Sequence, residues 1–254
     1  MKTLTTKPTS STPSAGVGRG VARAVAARHA FTRLELCAGL AAVALLGLLA
    51  LPALASNRSR GDIAHCLNNL RLIGRAVEMF AGDHVGQPQW RTYTSDGGTR
   101  PITGTKPGAA WFEFTALSNE LATPRILACP ADTGVKVAAE FSNSGAGGYL
   151  STGFRSAATS YLINLDNPFN SPLNPLAADR NWRTDGLANC GNGINNADAL
   201  FRYGNSGWTN GVHGLAGHVL RADGRVTLLD TAGSRAAVLP LIDDNGSAHL
   251  LRAR

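Results

Sequence analysis

Two histidines and an acid in the last fifth of the chain are the side chains that most resemble a set of metal ligands. His213, His218 and Asp223 follow one another at intervals of five residues. Imidazole and carboxylate groups together suit zinc and similar ions. A spacing of five and five, however, does not place all three side chains on one face of a strand. The sequence therefore predicts no metal site here.

Four cysteines could form a disulfide or bind a metal ion. Cys37 falls within an apolar run, and Cys66, Cys129 and Cys190 follow it. Outside the cytoplasm the three later cysteines permit three alternative single bridges with one thiol left over, and the spacing does not choose among them. No two cysteines have Cys-x-x-Cys spacing, which makes a metal site the weaker interpretation.

The sequence lacks the motifs of common enzyme classes. The glycine-rich stretch 144–153 has no Gly-Lys-Ser or Gly-Lys-Thr ending, and neither a Gly-x-Ser-x-Gly elbow nor a His-Glu-x-x-His helix is present. The four tryptophans are scattered, which favours core packing over a sugar-binding surface. The chain is therefore predicted not to be an enzyme and to need no cofactor.

The elements that would position these residues begin with an apolar run. Residues 36–55 carry no charge and, as a helix, would cover about 30 Å, the thickness of a bilayer's hydrocarbon core. Glu35 stands at the edge of the run, where an acid beside lipid needs a positive partner. Residues 1–30 contain five basic residues and no acid, as in a cytoplasmic leader: Lys2, Lys7, Arg19, Arg23 and Arg28. A single membrane crossing is predicted, with the rest of the chain outside the cytoplasm.

Net charge argues against nucleic-acid binding. The chain carries +7, and five of these charges lie in residues 1–30, so 7 − 5 = +2 remains for residues 31–254. A charge this small gives no electrostatic footprint for nucleic acid.

Beyond the apolar run, the spacing of apolar residues predicts an amphipathic helix. They recur at the intervals of one helical face: Ile63, Cys66, Leu67, Leu70, Ile73, Val77 and Phe80. Polar residues occupy most of the opposite face: Asp62, Asn68, Arg71, Arg75 and Glu78. The helix is predicted to run from the membrane to about Gly82, with a bend but no break at Pro52.

The start of the apolar run resembles the prepilin-type signal of bacterial type IV pilins and type II secretion pseudopilins. Residues 31–35, FTRLE, are similar to the family's Phe-Thr-Leu-Ile-Glu, with Ala30 in place of the usual glycine and Arg33 in place of an apolar residue. The resemblance implies cleavage between Ala30 and Phe31 by a prepilin peptidase, and polymerisation with other pseudopilin subunits on an inner-membrane assembly platform. It also implies that Glu35 neutralises the new terminal amine of a neighbouring subunit.

Later segments resemble a large group of prepilin-like proteins. One is the Cys-x-Asn-Asn-Leu-Arg stretch with its following glycine: Cys66, Asn68, Asn69, Leu70, Arg71 and Gly74. Another combines the dipeptide Cys129-Pro130 with the Ser-Tyr-x-x-Asn of residues 160–164. The last is a His-x9-Asp-Gly element, in which His213 precedes Asp223 and Gly224. The resemblance associates this element with prepilin processing and gives it no biochemical role.

Asp223 and Gly224 also have a plain structural interpretation. They lie between the apolar stretches 217–222 and 225–230, and Asp-Gly is a strong signal for a two-residue hairpin turn with positive φ. His213, in a loop with neighbouring glycines, is expected to hydrogen-bond a loop carbonyl, with a catalytic or ligand role as the alternative.

Calcium is the one cofactor that the resemblance raises. Some major pseudopilins hold a calcium ion in a loop near the C-terminus, and Asp243, Asp244 and Asn245 offer oxygen atoms there. These residues lack the full pattern of a known calcium loop, so a solvated turn is the expected structure.

The predicted fold class is α+β and pilin-like. A long N-terminal helix, half in the membrane and half amphipathic, is expected to pack on a small antiparallel sheet with long loops. The predicted divisions are a leader at 1–30, a transmembrane helix at 31–55, an amphipathic stalk helix at 56–82 and a periplasmic head at 83–254. Within the head we expect a short helix at 109–122, strands at 159–165 and 236–242, and a hairpin around Asp223.

The predicted function is that of a structural subunit of a type II secretion or type IV pilus-like filament. The resemblance implies a single-pass protein of a bacterial inner membrane, with its C-terminal domain in the periplasm or in a cell-surface filament. Two alternatives remain open. Cleavage after Ala53-Leu54-Ala55 would release a secreted protein. A membrane-anchored binding protein or hydrolase would use the helix only as a tether.

Overall fold

The computed structural model describes residues 32–166, 171–190, 193–201, 204–242 and 247–252. The chain divides into two compact units, with the boundary between Ala50 and Leu51. Helix α1, Arg33–Asp83, begins in the first unit and ends in the second. Several predicted features lie outside the described residues: the leader, its cleavage site at Ala30 and Phe31, and the calcium candidates Asp243, Asp244 and Asn245.

Helix α1 begins with a capping box. The Glu35 backbone N–H donates to Thr32 Oγ1 at 3.2 Å, and the Thr32 backbone N–H donates to Glu35 Oε2 at 2.9 Å. Each side chain thus satisfies a backbone donor that a helix start leaves unpaired. The hydrogen bonds that the Glu35 carboxylate accepts, chiefly from the Thr32 backbone N–H and also from the Thr32 hydroxyl, lower the pKa of Glu35. Glu35 therefore stabilises the end of its own helix.

The predicted membrane-spanning helix is wrong. None of the helices in the described part of the chain combines the length and the apolar character that a crossing requires. The single-pass localisation in a bacterial inner membrane and the membrane half of the predicted fold are wrong for the same reason. Helix α1 continues through Pro52.

The amphipathic helix predicted beyond the apolar run is confirmed. Its inner face is buried, with five predicted side chains at most 3% exposed: Cys66, Leu70, Ile73, Val77 and Phe80. Four polar residues of the opposite face are exposed: Asn68, Arg71, Arg75 and Glu78. The helix ends at Asp83, because Val85 and Gly86 adopt positive φ.

The head contains a larger sheet than predicted. The described strands are β1 Tyr161–Asn164, β2 Pro175–Asp179, β3 Trp182–Arg183, β4 Gly186–Cys190, β5 Ile194–Phe201, β6 Gly207–Trp208, β7 Ala216–Arg221, β8 Val226–Asp230 and β9 Ser247–Leu251. Seven of them form one antiparallel sheet in the order β4-β5-β9-β1-β2-β7-β8. Strands β3 and β6 pair separately. The fold is mixed α+β, and the expected small sheet is corrected to seven strands.

Apolar side chains cover this sheet on both faces. On one face, Ile163 and Leu176 pack with the second half of α1 and with helices α2 (Ala110–Thr115) and α3 (Ser118–Leu121). On the other face, Leu162 and Val219 pack with Val238 of helix α4 (Thr231–Val238). As predicted, the tryptophans belong to the packed interior, with three at most 6% exposed and the fourth packed against the core: Trp90, Trp182, Trp208 and Trp111.

Several local predictions for the head are confirmed. The helix expected at 109–122 is present as α2 and α3, and the strand expected at 159–165 is present as β1. The hairpin around Asp223 is formed by β7 and β8. Its loop has three residues rather than two, because the Arg221 backbone N–H donates to the Arg225 carbonyl at 2.9 Å, and positive φ falls on Gly224.

The strand predicted at 236–242 is wrong. Helix α4 occupies the first three residues of this stretch, 236–238, and a 3-10 turn at Leu239–Leu241 follows. The helix starts because the Asp230 side chain caps it, accepting a hydrogen bond from the Gly233 backbone N–H at 2.8 Å. A capping acid upstream therefore outweighed the local apolar run.

Candidate functional site

A disulfide joins helix α1 to the loop that follows α3. Cys66 bonds to Cys129, with their Cα atoms 4.8 Å apart and a sequence separation of 63. The sequence left three pairings open, and the structure forms this one. Closing a loop of this length removes chain entropy worth about 4 kcal/mol from the unfolded state. Cys37 is an exposed free thiol.

Two polar side chains support the segments around this disulfide. Asn69 Nδ2 donates to the Ala128 carbonyl at 3.0 Å, and the Tyr161 hydroxyl donates to the Cys66 carbonyl at 3.4 Å. Burial raises the pKa of Tyr161, so its hydroxyl keeps the proton that it donates. The predicted motif residue Asn69 thus holds the loop that contains the disulfide.

A salt bridge connects the Cys-Pro loop to the sheet. Arg180 contacts Asp132 twice, with Nε 2.7 Å from Oδ2 and a terminal nitrogen donating to Oδ1 at 2.8 Å. Ser160, directly before β1, donates through Oγ to Asp132 Oδ2 at 2.8 Å. Paired contacts of this kind fix the orientation of a carboxylate as well as its position. They hold three distant segments together next to Asp179, the residue before Arg180.

The Asp179 carboxylate lies between two histidines. Its Oδ2 accepts a hydrogen bond from the His218 backbone N–H at 2.7 Å, and lies 3.2 Å from His218 Nδ1 and 3.6 Å from His213 Nε2. The two imidazole rings meet edge to face, with centroids 4.5 Å apart and planes at 85°. One ligand atom from each residue lies within 4.8 Å of the other two. Asp179, His213 and His218 are referred to below as the Asp-His-His cluster.

Strand pairing brings this cluster together. Asp179 ends β2 and His218 lies on β7, and these strands pair with Ala178 opposite Val219. The two residues are therefore neighbours across the sheet although 39 positions separate them in sequence. His213 comes from the loop before β7, and its Nε2 also lies 3.7 Å from Cys129 Sγ.

The cluster is shielded from water and borders a cavity. The side chains of Asp179, His213 and His218 are 0%, 4% and 2% exposed. Burial lowers the pKa of His213 despite the opposing influence of Asp179, so this ring is neutral at pH 7. The cavity has a volume of about 600 Å³, and both histidines line it together with Asp62 and Pro130. A small molecule or ion reaching the histidines could enter through it.

Five predicted motif residues lie together in this region: Cys66, Asn69, Cys129, Pro130 and His213. The hydrogen bond expected from His213 to a loop carbonyl is not among its polar contacts in the described residues, which are to Asp179 and Cys129. Because these five motif residues lie close together, the motifs that contain them build one local structure.

The other motif residues lie elsewhere. Leu70 and Gly74 pack helix α1 on the sheet, where a Cβ at Gly74 would lie 3.2 Å from the Leu220 side chain. Asn68 and Arg71 are exposed. Asp223 Oδ1 accepts from the Arg225 backbone N–H at 2.9 Å in the hairpin loop, beside Gly224. The His-x9-Asp-Gly element therefore divides into a residue of the Asp-His-His cluster and a turn.

Sequence reasoning missed Asp179, Asp132 and Arg180. The available signal was an Asp-Arg pair at 179–180, directly after the apolar stretch 175–178. The sequence alone did not show which other strand would lie beside this pair.

Comparison with protein-family models, with curated proteins and with solved structures found no match. The resemblance to prepilin-like proteins stays a prediction from the residues quoted above, and the comparisons lend no support to a role in secretion.

Proposed function

We propose that this protein is a non-enzymatic structural subunit of a pilus-like filament, held together through the first part of helix α1. Residues 34–49 are referred to as the apolar segment. One observation carries the proposal: eight large apolar side chains of this segment are at least 58% exposed. They are Leu34, Leu36, Leu40, Val43, Leu45, Leu46, Leu48 and Leu49.

The exposed residues surround the helix rather than forming a stripe. Successive residues of a helix turn by about 100°, so Val43, Leu45 and Leu46 point in different directions. A helix that is apolar all round is stable when it is covered all round. Soluble monomers rarely expose apolar patches larger than a few hundred Å². The apolar segment therefore requires partners on several sides.

The same segment of other copies is the partner that fits best. A groove on one foreign protein would cover one side of the helix, whereas a bundle of identical helices covers every side. Gly39 and Gly47 have open space where a side chain would stand, so neighbouring helices can approach closely there. Arg33 and Glu35 give each copy one charge of each sign for pairing. The prepilin-like signal at 31–35 supports the same arrangement.

Sedimentation velocity of the full chain tests the proposal. Wild-type protein should form large assemblies, and the double variant Val43→Glu, Leu45→Glu should be a monomer, because charges then occupy two sides of each helix. Glutamate is a good helix former, so the helix itself should persist. The control Met79→Glu, Ile102→Glu places the same charges on residues that are 58% and 64% exposed elsewhere, and should still assemble. A monomeric wild type would contradict the proposal.

Cysteine cross-linking gives an independent measurement. Cys37 is exposed within the apolar segment, so a short bis-maleimide should link subunits into covalent dimers in wild-type protein. Cys37→Ser should abolish these dimers. Dimers that persist in this variant would place the contact outside the apolar segment.

A further inference from the structure

We propose that the Asp-His-His cluster binds one zinc-class divalent ion through His213 Nε2, His218 Nδ1 and an Asp179 carboxylate oxygen. This site is independent of filament assembly. Two imidazole nitrogens and one carboxylate oxygen form a donor set that zinc accepts in proteins, usually with a fourth position left open.

The distances within the cluster suit such an ion. Bonds of about 2.0–2.1 Å in a tetrahedral site place neighbouring ligand atoms about 3.3–3.4 Å apart. The distances from Asp179 Oδ2 to His218 Nδ1 and to His213 Nε2, 3.2 and 3.6 Å, lie on either side of that spacing. All three ligand atoms lie within 4.8 Å of one another, so small ring rotations complete the geometry.

Charge balance also supports a cation at this place. Other buried carboxylates meet a permanent cation: Glu113 lies 2.6 Å from Lys106, and Asp198 lies 2.9 Å from Arg252. Within the described ranges, the ion-pair partners of Asp179 are the two imidazoles alone, and its fully buried Oδ1 accepts no hydrogen bond. An uncompensated buried charge is strongly unfavourable. A divalent ion would balance it.

The surroundings of the cluster restrict which ion fits and determine which way its open coordination position faces. Calcium takes six to eight oxygen ligands, and the cluster offers one carboxylate and two nitrogens. The about 600 Å³ cavity borders both histidines, so the open coordination position would face it and hold water. Cys129 Sγ is 3.7 Å from His213 but is bonded to Cys66, which prevents it from acting as a thiolate ligand.

Isothermal titration calorimetry with ZnCl2 tests the site on the EDTA-treated, disulfide-bonded full chain. Wild-type protein should bind one ion per chain. His213→Ala should weaken binding more than about 100-fold, because even an outer partner of a ligand is worth 10–100-fold. His65→Ala removes an exposed histidine on α1 outside the cluster and should bind as wild type does. Absence of stoichiometric binding by wild type, or equal binding by His213→Ala, would overturn the proposal.

X-ray absorption of the zinc-loaded wild type needs no variant and so avoids folding defects from changes at buried Asp179 or His218. The spectrum should show two imidazoles and oxygen at about 2.0–2.1 Å. Sulfur at about 2.3 Å, or binding only after reduction, would assign the ion to Cys66, Cys129 and His213 and overturn the proposal.

Discussion

The two halves of helix α1 differ in how their apolar side chains are covered. In residues 60–83, the packed segment, apolar residues recur at the helical period and lie against the chain's own sheet. In the apolar segment, residues 34–49, large apolar residues point in every direction and are exposed. Both halves belong to one continuous helix. The difference is in the number of apolar faces that each presents.

This contrast shows that the spacing of apolar residues along a helix indicates what kind of surface packs against that helix. A helix with one apolar face buries that face against a single apolar surface, which the same chain can supply. A helix without a polar face is stable only when apolar groups pack against it on all sides. A single short chain does not provide enough apolar surface to surround it. The lack of a polar face on the apolar segment therefore predicts that this segment packs against other subunits.

Removing the disulfide that anchors the packed segment should produce a large loss of stability. Cys66→Ala with Cys129→Ala should lower the free energy of unfolding by about 4 kcal/mol, because the unfolded chain regains the entropy of a long loop. Urea unfolding measures this. The matched control is Cys37→Ala in the apolar segment, which should leave the free energy of unfolding unchanged. Equal stability of double variant and control would mean that the bridge does not form.

Truncating one leucine in each half gives the next largest contrast. Leu70→Ala in the packed segment should cost about 2–5 kcal/mol, because the fully buried side chain leaves a cavity. Leu45→Ala, from a residue that is 62% exposed, should change the free energy of unfolding of the head by less than about 0.5 kcal/mol. Equal effects in urea unfolding would remove the distinction between the two halves.

Two glycines should respond to alanine with opposite signs. At Gly74 a new Cβ would lie 3.2 Å from buried Leu220, so Gly74→Ala should destabilise by about 1–3 kcal/mol through overpacking. At Gly39 the space is open in the single chain, so in the monomeric Val43→Glu, Leu45→Glu background Gly39→Ala should make the helix more stable by up to about 1 kcal/mol. Thermal unfolding followed by circular dichroism would detect both effects. Destabilisation at Gly39 would show that something already occupies that space.

The smallest effects concern the start of the helix and separate two roles of Glu35. Thr32→Ala should raise hydrogen exchange of the first helical amides about fivefold, because it removes the cap that accepts from the Glu35 N–H. Glu35→Gln keeps the capping box and removes the charge, so exchange should stay near wild type. If Glu35→Gln nevertheless prevents assembly, the charge pairs with another subunit. Unchanged assembly would leave Glu35 with its capping role alone.

Features that depend on neighbouring residues were predictable from the sequence. The buried face of the packed segment follows from apolar spacing over a few turns, and the hairpin around Asp223 follows from a turn signal between two apolar stretches. The Thr-x-x-Glu pattern of the capping box was equally visible in the sequence. The intermolecular role that the resemblance gives Glu35 stays a prediction.

Features that depend on pairing between distant segments were not predictable. Strands β2 and β9 are buried at every position, so they lack the alternation by which a half-exposed strand is recognised. The Asp-His-His cluster was missed for a related reason. The spacing of His213, His218 and Asp223 was judged along a single strand, whereas the third member, Asp179, comes from the adjacent strand.

The place of strand β9 has a consequence for biosynthesis. Although it is formed by residues 247–251, it lies in the interior of the sheet, between β5 and β1. A ribosome must therefore release these residues before the two halves of the sheet can join, and contacts between such distant segments form slowly. Until then, the nascent chain leaves two strand edges open, so a chaperone that shields strand edges is most useful before residues 247–251 emerge.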